Sequence, residues 1–307
     1  MRKALLISAF AAVCLCAVAA AQDSPKRYAV VDLSVSYLRQ SPDYESPLET
    51  QELMGTVVEI VGESAYWRQV VSPQPYTAWC TDRGLVEMDE AQLAEYEASS
   101  KYVCVAPLSS VLSSPSKDSQ PLSDLVMGDV LRKPEGRGSA KKGFLKVVLP
   151  DGREGWTPKS ALMDMESWRK SCEENLSSGR FAEKAVALAR RFVGTPYLWG
   201  GMSPKGFDCS GLVRMCYLMN GITLPRNASQ MVRLGEDVPL DALQPGDLLF
   251  FGRRDADGTE HVTHVGMYVG DGHFIHSSHL VRVNSMRRGD SDCYENIHKL
   301  LRARRYL

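Results

Sequence analysis

Charge of one sign, dense cysteine and early histidine are all missing from this 307-residue sequence, and each absence narrows what the chain can do. Lysine and arginine number 36 against 37 acidic residues, a formal net charge of −1, and no basic cluster interleaves with aromatics. A nucleic-acid partner therefore finds no support. The apolar run Ala4 to Ala20 is short and alanine-rich for a membrane span, and it follows a basic start, Met1-Arg2-Lys3. Ala19-Ala20-Ala21 before Gln22 fits a signal-peptidase site, whereas Cys14 and Cys16 lack the small preceding residue of a lipoprotein signal. Residues 1–21 thus read as a cleaved secretory signal. The expected address is exported, periplasmic or extracellular, with no stable membrane insertion after cleavage. Beyond the signal stand six cysteines, Cys80, Cys104, Cys172, Cys209, Cys216 and Cys293. The number is even, but the spacing is sparse for a disulfide scaffold, and Cys80 with Cys104 is the first pair to test.

The remaining length of about 285 residues suits two or three domains at about 100–200 residues each. An internal repeat organises the first half. An offset of 73 carries Leu38-Arg39-Gln40-Ser41-Pro42 and Leu53-Met54-Gly55 onto Val111-Leu112-Ser113-Ser114-Pro115 and Val126-Met127-Gly128. Later the offset becomes 77, aligning Val70-Val71 with Val147-Val148, Trp79 with Trp156 and Leu85 with Leu162. The second copy therefore holds about four extra residues in the Gly/Lys-rich loop from Arg137 to Lys142. Each copy is a chain of short β-rich segments between turn residues, with the tryptophan read as a core position. With its final Gly-Trp-like strand, each copy resembles a bacterial SH3-like barrel, over 28–90 and 101–165. A polar connector, Asp164 to Gly179, leads into a third domain over 178–307, where Phe181, Ala185, Leu188, Ala189 and Phe192 line one helical face.

That domain holds the candidate nucleophile. In Gly206-Phe207-Asp208-Cys209-Ser210-Gly211-Leu212 a Gly-rich segment becomes a helix, with Leu212, Val213, Cys216 and Met219 at helical spacing and Gly221 as a stop. Asp208 or Cys209 then lies at the helix N-terminus, where unpaired N–H groups and the dipole are expected to lower the thiol's pKa below the free value of about 8.5. A disulfide or an inert buried cysteine is the bland alternative. A nucleophilic thiol needs a base, and all six histidines lie downstream, five of them from His261 to His279.

His261, His264, His273, His276 and His279 recur at threes, which on one helix would suggest metal ligation. Their surroundings, rich in Val, Ile and Gly, favour strands instead, where such spacing alternates faces, and no carboxylate-rich complement accompanies them. Whether His264 and His276 meet depends on the hairpin at Gly270-Asp271-Gly272. A two-residue loop pairs 267 with 276 and separates them, whereas a three-residue loop pairs 266 with 276 and puts them on one face.

Four segments in order, Thr195-Pro196-Tyr197-Leu198-Trp199-Gly200-Gly201, the Cys209 motif, Leu243–Phe251 and the histidine strands, resemble the NlpC-type family of cell-wall cysteine peptidases. The resemblance covers roughly residues 180–307 and implies an α+β, papain-like catalytic domain behind the two all-β barrels. It assigns Cys209 as nucleophile, His264 as base, His276 as the residue orienting that base, and Tyr197 as an oxyanion donor beside the Cys209 N–H. No metal or organic cofactor is needed. Asp208 and Ser210 have a capping role by chemistry; relatives use the matching positions for the peptide's amine end and glutamyl carboxylate. Trp199, in the aromatic and glycine cluster, and Ser229, in Pro225-Arg226-Asn227-Ala228-Ser229, complete the substrate-binding candidates on this domain.

The whole architecture looks like the γ-D-glutamyl-L-diamino acid endopeptidases, which act on murein peptides. In these the first SH3-like domain walls off the cleft, and its tyrosine and acid read a free N-terminal L-Ala. Tyr76 sits where that tyrosine is expected. Alignment through Leu53-Met54-Gly55 brings Pro47 rather than Glu49 to the acid's usual place, leaving Glu49 as the candidate acid nearby. A general wall hydrolase would have an open cleft, which Tyr76 and a loop from Pro73 to Tyr76 argue against. A non-catalytic wall-binding protein would tolerate loss of Cys209 or His264, and both are present.

Overall fold

Strand pairing in the N-terminal half repeats residue for residue. The computed structural model describes residues 26–73, 76–136 and 140–306; the signal segment read over 1–21 and part of the loop at 137–142 lie outside them. Val35–Arg39 pairs antiparallel with Leu48–Leu53, and Leu108–Leu112 with Pro121–Val126, the same two strands 73 residues on. Trp67–Val71 and Thr77–Thr81 recur 77 residues on as Phe144–Val148 and Glu154–Pro158, each followed by a 3₁₀ turn. Both sheets run through their strands in equivalent order along an open path, except that the counterpart of Val57–Ser64 is split in the second copy into Val130–Arg132 and Ala140–Lys141.

Two expectations fail here. Trp79 and Trp156 are half-buried rather than core. Side chains alternate along a strand, and the inward positions belong to Ala78 and Cys80 in one copy and Gly155 and Thr157 in the other. Cys80 and Cys104 are not bonded, because each sits in the core of a different sheet; all six cysteines among the described residues are free.

The copies interlock through equivalent residues. Met54, at the turn closed by Gly55 (φ +86°), enters the core of the second sheet, and Met127, before Gly128 (φ +95°), enters the core of the C-terminal unit. The buried Asp129 carboxylate ties the turns together, accepting from Met54 N at 3.1 Å and Val126 N at 2.7 Å.

Helix α1, Glu90–Ala98, links the two sheets. The segment read as a polar connector is helix α2, Met165–Ser177, capped by Asp164, whose side chain accepts from Ser167 N. Its polar composition hides a stripe at four-residue spacing, Trp168, Cys172 and Leu176, and the Trp168 indole donates to Met219 O at 3.2 Å. Helices α3, Phe181–Arg190, α4, Cys209–Leu218, and α5, Ala228–Met231, then pack with a six-stranded antiparallel sheet. Its strand order is Glu236–Val238, Leu300–Arg305, Leu248–Arg254, Glu260–Gly270, His273–Ser278 and Leu280–Ser285. The expected face of α3 is buried, and its residues share one core with α4 and the sheet. Among the described residues no helix is long and apolar enough to cross a membrane.

Candidate active site

Helix α4 begins at Cys209 because Asp208 caps it, accepting from Gly211 N at 2.7 Å. The entry is tight: a Cβ on Gly211 would lie 1.9 Å from the Gly201 carbonyl oxygen, so the absence of a side chain at Gly211 lets the Gly200-Gly201 segment and the helix touch. Asp208 also accepts from Gly200 N at 3.0 Å, from the Ser210 hydroxyl and from both terminal nitrogens of the buried Arg226. Arg226 donates in addition to Ser210 Oγ at 2.9 Å and, through Nε, to Thr50 Oγ1 at 2.8 Å. A residue of the first sheet thus braces the ion pair behind the cysteine.

The histidine hairpin reaches its register by an unexpected route. The loop is the two-residue Asp271-Gly272 form, with φ of +49° and +69°, and Gly270 pairs with His273. A bulge at Val269 then shifts the pairing to Tyr268 with Phe274 and Met267 with Ile275. The extra residue restores the register of the three-residue loop, so His264 and His276 share a face. His264 Nε2 lies 2.8 Å from His276 Nδ1, and His276 Nε2 lies 2.9 Å from Asn284 Oδ1. The other histidines go elsewhere: His261 to Asp255 at 2.6 Å, His273 to the Asp271 carbonyl at 2.8 Å, and His279 to a turn with φ +61°. A separate grouping, His273, Asp290 and Asp292, lies outside the cleft.

A cleft of about 580 Å³ collects Cys209, His264, Tyr197, Trp199, Asp208, Ser210 and Ser229 from the C-terminal unit with Glu49 and Tyr76 from the first sheet. His276, fully buried, stands behind His264. Glu49 lines the cleft although the alignment favoured Pro47, and the Tyr76 hydroxyl donates to its carboxylate. Residues 74–75 of the loop before Tyr76 are outside the described set. Tyr197 is held by its N–H, which donates to His279 O at 2.9 Å. Burial, then the nearby Cys209 and Asp208 charges, pushes its hydroxyl up to about 12, keeping it a donor at neutral pH.

The thiol departs from expectation. Burial, with the Asp208 carboxylate second, pushes Cys209 up to about 11, outweighing the backbone N–H groups of Val265 and Ser210 that favour the thiolate. Burial also drives His264 down to about 3 and His276 to about 4, each with a nearby positive charge adding to the effect. On these shifts the cleft rests with a neutral thiol and a neutral imidazole, the form of His264 that can accept a proton.

Comparison with known proteins bears on this constellation. The NlpC/P60 family pattern matches residues 194–296, a span that holds Cys209, His264 and His276. Dipeptidyl-peptidase 6 of Lysinibacillus sphaericus is 30% identical over 263 residues, covering 84% of this chain and 91% of the relative. The chain belongs to the NlpC/P60 family. A gamma-D-glutamyl-L-lysine dipeptidyl-peptidase of Bacillus cereus is 31% identical over 268 residues, covering 85% of this chain and 75% of that one. In fold, the chain is similar to the crystal structure of an NlpC/P60 family protein from Bacillus cereus, with a TM-score of 0.73 at 24% identity over 91% of this chain and 99% of the other.

The protein is therefore a cysteine peptidase, and its NlpC/P60 unit is the catalytic one. Three site residues escaped the sequence reading: Arg226, Thr50 and Asn284. A buried arginine paired with a carboxylate 18 residues away leaves no local signal, and nothing in Thr50 or Asn284 announces a contact made only by folding.

Proposed function

We propose that this NlpC/P60 peptidase cleaves the γ-D-glutamyl-L-diamino acid bond of murein peptides carrying a free N-terminal L-Ala, and that residues 1–21 export it for cell-wall turnover or recycling. One observation carries the reading: the cleft that holds Cys209 and His264 also holds the Glu49 carboxylate, supplied by the first sheet together with Tyr76. A carboxylate there complements an ammonium group and leaves an acylated amine without a partner. The name of the B. cereus relative, a gamma-D-glutamyl-L-lysine dipeptidyl-peptidase, points to the same bond.

In the mechanism we infer, His264 takes the Cys209 proton as the sulfur attacks the γ-glutamyl carbonyl. The Tyr197 hydroxyl and the Cys209 N–H hold the resulting oxyanion. His264 gives the proton to the leaving amine of the diamino acid, then activates the water that hydrolyses the thioester and frees Cys209.

The test is to incubate the purified protein with L-Ala-γ-D-Glu-diaminopimelate and its N-acetylated form and follow products by mass spectrometry. The free-amine peptide is expected to be cut and the acetylated one spared. An unmade buried hydrogen bond costs about 1–3 kcal/mol, up to about a hundredfold in selectivity, so Tyr76→Phe should slow the free-amine peptide selectively. Cys209→Ala should abolish cleavage. Equal turnover of both peptides by the wild type refutes the free-amine reading and leaves a general wall endopeptidase.

A further inference from the structure

Asn284, on strand Leu280–Ser285, is the far end of a polar line that runs through the sheet to the nucleophile's base. Its Nδ2 donates to the Asp292 carbonyl at 2.7 Å. A carbonyl only accepts, so the amide cannot be turned round, and Oδ1 is the atom that faces His276 Nε2 at 2.9 Å. An amide oxygen also only accepts, so His276 carries its hydrogen on Nε2. A neutral imidazole has one N–H, which leaves His276 Nδ1 as an acceptor. The 2.8 Å contact is then a donation from His264 Nε2–H, and the proton-free nitrogen of His264 is Nδ1.

We propose that Asn284 is a positioning residue for the peptidase reaction: acting through His276, it sets the His264 tautomer in which Nδ1 is free to take the Cys209 proton. The inference rests on Cys209 and His264 working as a pair, but not on which murein bond they cut. The surroundings of His276 favour the neutral ring this chain of donations needs. It is fully buried, with Phe274 on its own strand, His264 on Glu260–Gly270, Arg282 directly opposite on Leu280–Ser285, and the Tyr294 ring at 4.8 Å. Arg282 is the charged group among these, and it repels a proton.

Substitution by aspartate reverses the logic. In Asn284→Asp the new carboxylate stabilises a His276 imidazolium, whose two nitrogens both donate. Its Nδ1–H then points at His264 Nε2, moving the His264 proton to Nδ1 and blocking the base. The acid limb of the kcat profile is expected to move up by about one pH unit or more, with activity recovering at higher pH and KM unchanged, a split that a packing defect would not produce. Asn284→Ala should lower kcat roughly ten- to a hundredfold, as loss of a supporting hydrogen-bond partner does elsewhere.

The direct readout is ¹⁵N NMR of histidine-labelled protein near pH 7. Wild type should show His264 protonated at Nε2 and bare at Nδ1, and Asn284→Ala should mix the two tautomers. Wild-type His264 protonated at Nδ1 overturns the proposal without need of any variant. So does an Asn284→Asp enzyme with the wild-type pH profile. Failure of the protein to cut murein peptides would count against the proposed substrate alone, because the tautomer is read without substrate.

Discussion

Cys209 and His264 rest as a neutral pair because packing around the cleft leaves each little hydration, and a charged form of either would lose hydration the site does not replace. The same burial makes stability depend on pH. The folded pKa values of His264 and His276 lie below the ordinary 6.5, so under acid the unfolded chain binds protons that the folded site refuses. Their stabilisation is present above about pH 6.5 and is lost as pH falls toward 4 and 3. Melting temperatures between pH 7 and pH 4.5 check this: the wild type should fall further than His276→Gln. Asp129 and Glu52, buried carboxylates shifted the other way, are common to both proteins and drop out of the difference.

Elements were legible where their signals are local. The α4 start, its Asp208 cap and the α3 face follow from capping chemistry and helical spacing. Helix α2 was hidden because its apolar stripe is only three residues long in a polar segment, and the hairpin register because a bulge at Val269 leaves no mark in composition. Two substitutions separate a cap from a close approach. Asp164→Ala removes the α2 cap and should cost about 1 kcal/mol in denaturant unfolding. Gly211→Ala drives a Cβ into the Gly201 carbonyl, backbone that cannot swing aside, and should cost about 3 kcal/mol. Only Gly211→Ala should also slow alkylation of Cys209, since it displaces the helix end that carries the thiol.

Across the whole molecule the units are not beads on a string. Met54 lies in the second core and Met127 in the third, and buried Glu52 of the first sheet sits beside Arg214 of α4. The first sheet also accepts from Met202 N through Gln51 at 2.8 Å. Such shared cores couple unfolding of one unit to the next. Met54→Ala should destabilise by about 2–5 kcal/mol and lower the melting point measured by calorimetry of the whole protein, although no cleft residue is touched.

The sequence alone determined the parts of the chemistry carried by residue type and order: a thiol at a helix start, histidines downstream, a repeat ahead of them, and a motif set found in one family. Those signals are local, so they survive without coordinates. Folding decided what depends on partners distant in the chain. It brought Glu49 and Tyr76 into the cleft of Cys209, closed Arg226 on Asp208, put Asn284 behind His276, and kept Cys80 and Cys104 apart. It also reversed the expected shift of the thiol, because a helix dipole acts within one turn whereas burial is set by everything packed around it.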